Sequence, residues 1–194
     1  MKDKRTEGNE DIYNLVEQVK KGNREAFMTV IRFYQKKVFL LAFSYFRNRE
    51  DALDIVQETF LRFYQKVNMF KRNKDFSNWL LQITKNLCID YYRKNYKHSK
   101  NAELDAEKGI AAMDFEGEKD HDFCKSSDFK EIFSRCLNRL SEKQRMIFVM
   151  RHYNQLDYKE IAQILDVAIG TVKSLHFKAI NKLKIIMSPY LGRI

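Results

Sequence analysis

A chain of 194 residues has room for one medium domain or two small ones, and a formal net charge of +10 favours polyanionic partners. Three cysteines, Cys88, Cys124 and Cys136, are too few and too scattered for a disulfide framework and fit a reducing compartment. The polar start MKDKRTEGNED offers no apolar run for a signal peptide. No stretch nears the ~20 apolar residues that span a bilayer, so a cytoplasmic protein without membrane insertion is expected.

One Pro, six Gly and the lack of strong apolar–polar alternation predict an all-α fold. Charge divides it in three. Residues 1–98 carry 20 Lys and Arg against 12 Asp and Glu, residues 99–128 carry 4 against 9, and residues 129–194 carry 12 against 5. Two basic blocks around an acidic segment suggest two surfaces for polyanions, although solvated lysines alone would give much the same count.

In chain order, Gly22 and Asn23 supply a break and a capping side chain. Phe27, Ile31, Tyr34, Val38, Leu41 and Tyr45 then recur at steps of three or four, the apolar stripe of a long helix. Asn48 can cap a second helix striped by Leu53, Val56, Phe60, Phe63 and Val67. After the basic loop Lys71-Arg72-Asn73-Lys74-Asp75, a third stripe runs through Phe76, Trp79, Leu80, Ile83, Leu87 and Tyr91. Three stripes facing one another predict a compact bundle.

Residues 99–128 lose this periodicity and gain acids, Gly109, Gly117, Ser126 and Ser127, the composition of a flexible linker. Thirty such residues reach at most ~100 Å extended and ~30 Å as a relaxed coil. His121 and Cys124 make a lone H-x-x-C within it, without the second pair that zinc requires, so no metal or cofactor is expected. A helical part resumes near Phe129. Ser141 with Gln144, and Asp157 with Glu160, have the spacing of capping boxes; the apolar run Met146 to Met150 follows the first.

Leu156 to Leu183 then reads as a helix-turn-helix. Ile161, Ala162 and Leu165 face inward, and Ala162 is small enough for a close helix crossing. Asp166 and Val167 make the turn. Asp is one of the few residues besides Gly that tolerate the positive φ common at that place. Val172 packs the second helix inward, leaving Thr171, Lys173, Ser174, Phe177, Lys178 and Lys182 for DNA. The bland alternative is a helical hairpin with solvated lysines. It does not require a small residue, a turn and an inward Val in this order.

On these residues the chain resembles bacterial RNA polymerase sigma factors of the sigma-70 family, in the two-domain extracytoplasmic function (ECF) group. The resemblance covers about residues 12–97 and 129–187. GNREAFMTVIRFYQKKVFLLAFSYFRNREDALDIVQETFLRFYQ and FSNWLLQITKNLCIDYYRK are similar to region 2. LSEKQRMIFVMRHYNQLDYKEIAQILDVAIGTVKSLHFKA is similar to region 4. It implies an all-α chain of two small helical domains, 1–98 and 129–194, joined by the acidic linker 99–128. The implied partners are core RNA polymerase (its β′ clamp helices and β flap), promoter DNA and an anti-sigma factor.

Carried over by position, Asp51, Asp54, Gln57 and Glu58 correspond to the surface that docks on the clamp helices. Lys71, Arg72, Asn73 and Lys74 correspond to the loop that captures a flipped base of the −10 element, where cations and an amide offset an unstacking cost of a few kcal/mol. Trp79, Lys85, Asn86, Asp90, Arg93 and Lys94 follow on the helix along the melted strand, although a lone Trp at helical spacing is more often core. Thr171, Lys173, Ser174, Phe177, Lys178 and Lys182 correspond to the −35-reading helix.

The family commonly has Ser-Arg-apolar-x-Arg where this chain reads Ser174-Leu175-His176-Phe177-Lys178. Whether Leu175 or His176 faces the core is left open, and so is the promoter sequence. A P-loop, a dinucleotide-binding glycine pattern and a nucleophile motif are all lacking, so no enzyme is expected. The alternative, a conventional helix-turn-helix regulator, would carry a sensor or receiver module upstream where this chain has a helical one.

Overall fold

The computed structural model describes residues 4–95 and 127–191, with side chains for residues 10–94 and 132–190. Every regular element among them is helical. Helices α1 (Lys4–Lys20), α2 (Arg24–Phe46), α3 (Arg49–Lys66) and α4 (Phe76–Asn95) form the first half, with one 3-10 turn at Val67–Met69. Helices α5 (Ser127–Asn138), α6 (Glu142–His152), α7 (Tyr158–Leu165) and α8 (Ile169–Leu191) form the second. The expected linker lies outside the described residues as far as 126, as do His121 and Cys124; α5 begins at 127.

The starts of the helices follow from their capping side chains. Gly22 turns the chain at φ +82°, and Asn23 Oδ1 accepts from the amides of Glu25 and Ala26 at 2.9 and 3.1 Å. Asn48 Oδ1 accepts from Glu50 and Asp51 in the same way. Ser141 with Gln144 and Asp157 with Glu160 both close reciprocal capping boxes, which satisfy two orphan donors at each helix start.

Helix α1 is not anticipated by the sequence reading. Ile12, Val16 and Val19 recur at steps of four and three and are buried against α2. The α3 stripe is rotated from the expected one. Ala52, Ile55, Thr59, Phe60 and Phe63 are buried, whereas Leu53 is exposed. The C-terminal half of α2, residues 38–44, is buried all round because α3, α4 and α6 enclose it. A helix enclosed on every side needs no polar face.

The two halves pack on one another, α2 against α6 and α4 against α7. One apolar cluster joins Phe63, Phe76, Leu80 and Leu81 to Ile147, Met150, Ile161 and Val172. A second joins Phe43, Ile55 and Cys88 to Leu137, Phe148 and Leu183. Polar contacts cross the same seam. Arg145, 3 % exposed, donates from Nε to Ser44 O at 2.6 Å and from Nη1 to Leu140 O at 3.3 Å. Arg47 donates to Asn138 O, Asn154 to Lys37 O, and Asn78 to Glu160 Oε1.

Candidate polymerase and DNA-reading surfaces

Three surfaces carry the residues singled out from the sequence. On α3, Asp54 and Gln57 are exposed and Glu58 half-buried, its Oε1 paired with Arg62 Nε at 2.8 Å. Asp51 differs: its Oδ1 accepts from the Tyr91 hydroxyl at 2.8 Å, so it ties α3 to α4. Sequence reasoning missed the apolar part of this face. Leu53, Leu61 and Tyr64 are 40 %, 51 % and 51 % exposed, and with Gln57 they recur at steps of four, four and three. For Leu61 and Tyr64 the signal lay in the spacing, since both fall outside the expected stripe; Leu53 falls within it and gave none.

The second surface is the loop between the 3-10 turn and α4. Lys71, Arg72, Asn73 and Lys74 are all exposed, and the backbone beneath them is held from α1. Lys20 Nζ donates to Phe70 O at 3.1 Å, the Tyr13 hydroxyl donates to Lys74 O at 3.2 Å, and Arg72 lies over the Tyr13 ring. Asp75 Oδ1 accepts from the Asn78 amide at 2.8 Å and so fixes the start of α4. Along α4, Asn86, Asp90, Arg93 and Lys94 are exposed at helical spacing and Lys85 is half-buried. Trp79 sits with its ring among Phe63, Phe70 and Phe76, centroids 5.1–6.2 Å away. Its main contacts are with the core, and only part of its surface is open.

The third surface is the helix-turn-helix. Asp166 takes φ +57° at the turn, as its residue type suggests, and the Val167 amide closes on Ala162 O at 3.1 Å. Ile161 and Val172 are fully buried, Ala162 nearly so and Leu165 partly. Helix α8 is thereby held with Thr171, Lys173, Ser174, Phe177, Lys178 and Lys182 all exposed; Phe177 is 66 % exposed. Leu175 and His176 are both half-buried. Leu175 packs on the first apolar cluster, while His176 enters the cleft between α6 and α7.

The chain therefore presents an acidic and apolar helix face, a basic loop leading into a polar helix, and an outward helix with cations and one bare aromatic ring. The model of sigma-70 region 2 matches residues 30–98, and that of sigma-70 region 4 matches residues 130–183. The ECF RNA polymerase sigma factor SigW of Bacillus subtilis is 31 % identical over 163 residues, 82 % of this chain and 87 % of that protein. The chain is an ECF sigma factor of the sigma-70 family.

The ECF RNA polymerase sigma-E factor of Escherichia coli K12 is likewise 31 % identical, over 92 % of this chain and 95 % of its own length. Two solved structures share the fold. One is the sigma factor RpoE from Bartonella quintana in complex with the anti-sigma factor NepR, at TM-score 0.66, 23 % identity and coverage of 84 % of this chain and 96 % of that one. The other is CnrH in complex with the cytosolic domain of CnrY, at 0.63, 20 %, 90 % and 96 %. Sigma factors direct transcription initiation, and this one has both of the regions that define the group. Helix α1 and the last turns of α8 lie outside both matched regions. No helix among the described residues is long and apolar enough to cross a membrane.

Proposed function

We propose that this sigma factor is a dissociable, cytoplasmic specificity subunit without catalytic activity of its own, built as two domains (1–98 and 129–194) on the linker 99–128. The α3 face bearing Asp54, Gln57 and Glu58 docks on the β′ clamp helices of core polymerase. The flanking Leu53, Leu61 and Tyr64 supply the apolar area that acids alone would lack. The loop Lys71 to Lys74 and the outer face of α4 take the melted −10 strand, with Lys85, Asn86, Arg93 and Lys94 ahead of Trp79. The outer face of α8 reads the −35 element. An anti-sigma factor is the expected antagonist.

The observation that carries this reading is the exposure of every cation in the loop and in the first half of α8, on backbone that hydrogen bonds from their neighbours hold in place. Run-off transcription on genomic fragments, with core polymerase alone and with the protein added, is the test. New discrete transcripts that depend on the protein are expected. A protein that grips DNA but never co-migrates with core polymerase would instead be a conventional regulator.

A further inference from the structure

His176 stands on α8 one residue before Phe177 and two before Lys178, and its ring is tied to both other helices of the motif. Its Nε2 lies 2.9 Å from Nε2 of His152, the last residue of α6, and the two rings meet edge to edge, 27° from coplanar with centroids 5.1 Å apart. Its Nδ1 lies 3.0 Å from the hydroxyl of Tyr158, the first residue of α7. Phe148 backs His152 at 4.4 Å, and the Arg151 guanidinium covers the Tyr158 ring at 4.9 Å while donating to Leu156 O.

We propose that His152 and His176 are a positioning pair for promoter reading: their hydrogen bond fixes the rotation of α8 about its own axis and so aims Phe177 and Lys178. The inference rests on reading α8 as the recognition helix. Val172, Ala179 and Leu183 bury one line along α8, and apolar contact resists separation more than rotation because it has no direction. A hydrogen bond has direction. With side chains ~5–6 Å from the helix axis, a turn of ~20° moves their tips by ~2 Å. That exceeds the distance window of a base-edge hydrogen bond.

The chemistry of the pair supplies a signature. While both rings are neutral, one Nε2–H faces one Nε2 lone pair, and the Tyr158 hydroxyl matches either tautomer of His176. One added proton can be shared; a second sets N–H against N–H and the bond is lost. The groups facing the pair are Arg151 from α6 and Tyr158 from α7. Asp157 and Glu160 of α7 are engaged in their capping box, Glu160 also by Asn78, and Lys173 and Lys178 stand along α8. Burial first, then each ring's cationic neighbours, hold both imidazoles below the ordinary histidine range. A depressed value in the folded state means that the pair is intact above that range and fails as pH falls below it.

Core polymerase loaded with the full chain is titrated with a promoter duplex recovered from the run-off experiment, and with the same duplex scrambled at −35, from about pH 8 to about pH 4.5, far enough for the second proton to enter. The ratio of the two affinities is the readout, since added charge strengthens both duplexes alike. The wild-type ratio should fall several-fold into acid. His152→Ala should lower it about tenfold at neutral pH and leave it flat. His152→Gln, whose amide can occupy the place of Nε2, should keep the neutral ratio and abolish the acid fall. The proposal is overturned if His152→Ala discriminates like wild type at neutral pH, or if wild type and both variants share one acid profile. Should the Ala variant fail to fold by circular dichroism, the Gln profile decides. Lys178→Ala separates the two levels of the argument. Loss of promoter-duplex affinity there, with no loss of discrimination in the histidine variants, removes the pair alone; unchanged affinity there removes the reading of α8.

Discussion

Replacing Arg145 with alanine should weaken the seam between the two halves by about 2–4 kcal/mol. Ser44 O is among the last four carbonyls of α2, which have no partner within their own helix, and Arg145 Nε reaches it from α6 at 2.6 Å. Leu140 O, just past the end of α5, takes the second bond. Truncation leaves both acceptors buried at ~1–3 kcal/mol each, and removes a cation from the negative end of the α2 dipole, worth up to ~1 kcal/mol. Burial opposes this, since it pushes the guanidinium down to about 10, with the nearby Arg47 adding to the effect. The side chain nevertheless stays charged at neutral pH. Urea unfolding of the full chain, followed by circular dichroism, gives the difference, and small-angle scattering reports whether the variant expands. A loss below ~0.5 kcal/mol with unchanged dimensions would show that the apolar clusters alone hold the halves together.

Other outcomes follow from single contacts. Phe63→Ala should cost ~3–5 kcal/mol in the same urea experiment, because that ring is fully buried among Phe27, Phe76 and Trp79. Reversing Asp54 and Glu58 to Lys should impair association with core polymerase in co-sedimentation while leaving the thermal midpoint close to wild type, since Asp54 is exposed and the Glu58–Arg62 pair lies at the surface. Lys178→Ala should weaken promoter duplex binding and lower its salt slope by about one unit if the lysine meets a phosphate, as filter binding across a salt series would record. Asn23→Ala should lose ~1 kcal/mol, by urea unfolding, through two uncapped amides at the start of α2.

Local chemistry was the readable part of this chain. The caps at Asn23, Asn48, Ser141 and Asp157, the positive φ of Asp166 and the inward Val172 are written in one or two side chains and their own backbone, and all stand as expected. Facts set by distant neighbours were not readable. Arg145 looks like any surface cation until α2 offers it a carbonyl 101 positions away. Asp51 shares a helical face with Asp54 but is claimed by Tyr91. Leu53 completes a plausible stripe, yet the smaller Ala52 lies against the neighbouring helices and turns Leu53 outward.

The seam has one more property. Arg47 Nε, Asn78 Oδ1 and Asn154 Oδ1 belong to side chains that bond across it, yet these buried atoms find no hydrogen-bond partner among the described residues. Each such atom held from solvent carries a penalty of ~1–3 kcal/mol, refunded by hydration when the interface opens. Parting the halves is therefore easier than their shared hydrocarbon would suggest. On the proposed reading the folded arrangement is a travelling posture: α4 packs on α7 and α7 on α8, whereas two elements about two helical turns apart would lie ~70 Å from one another. A sigma factor that reached both elements at once would have to open this line, and would gain from one that was never fully sealed.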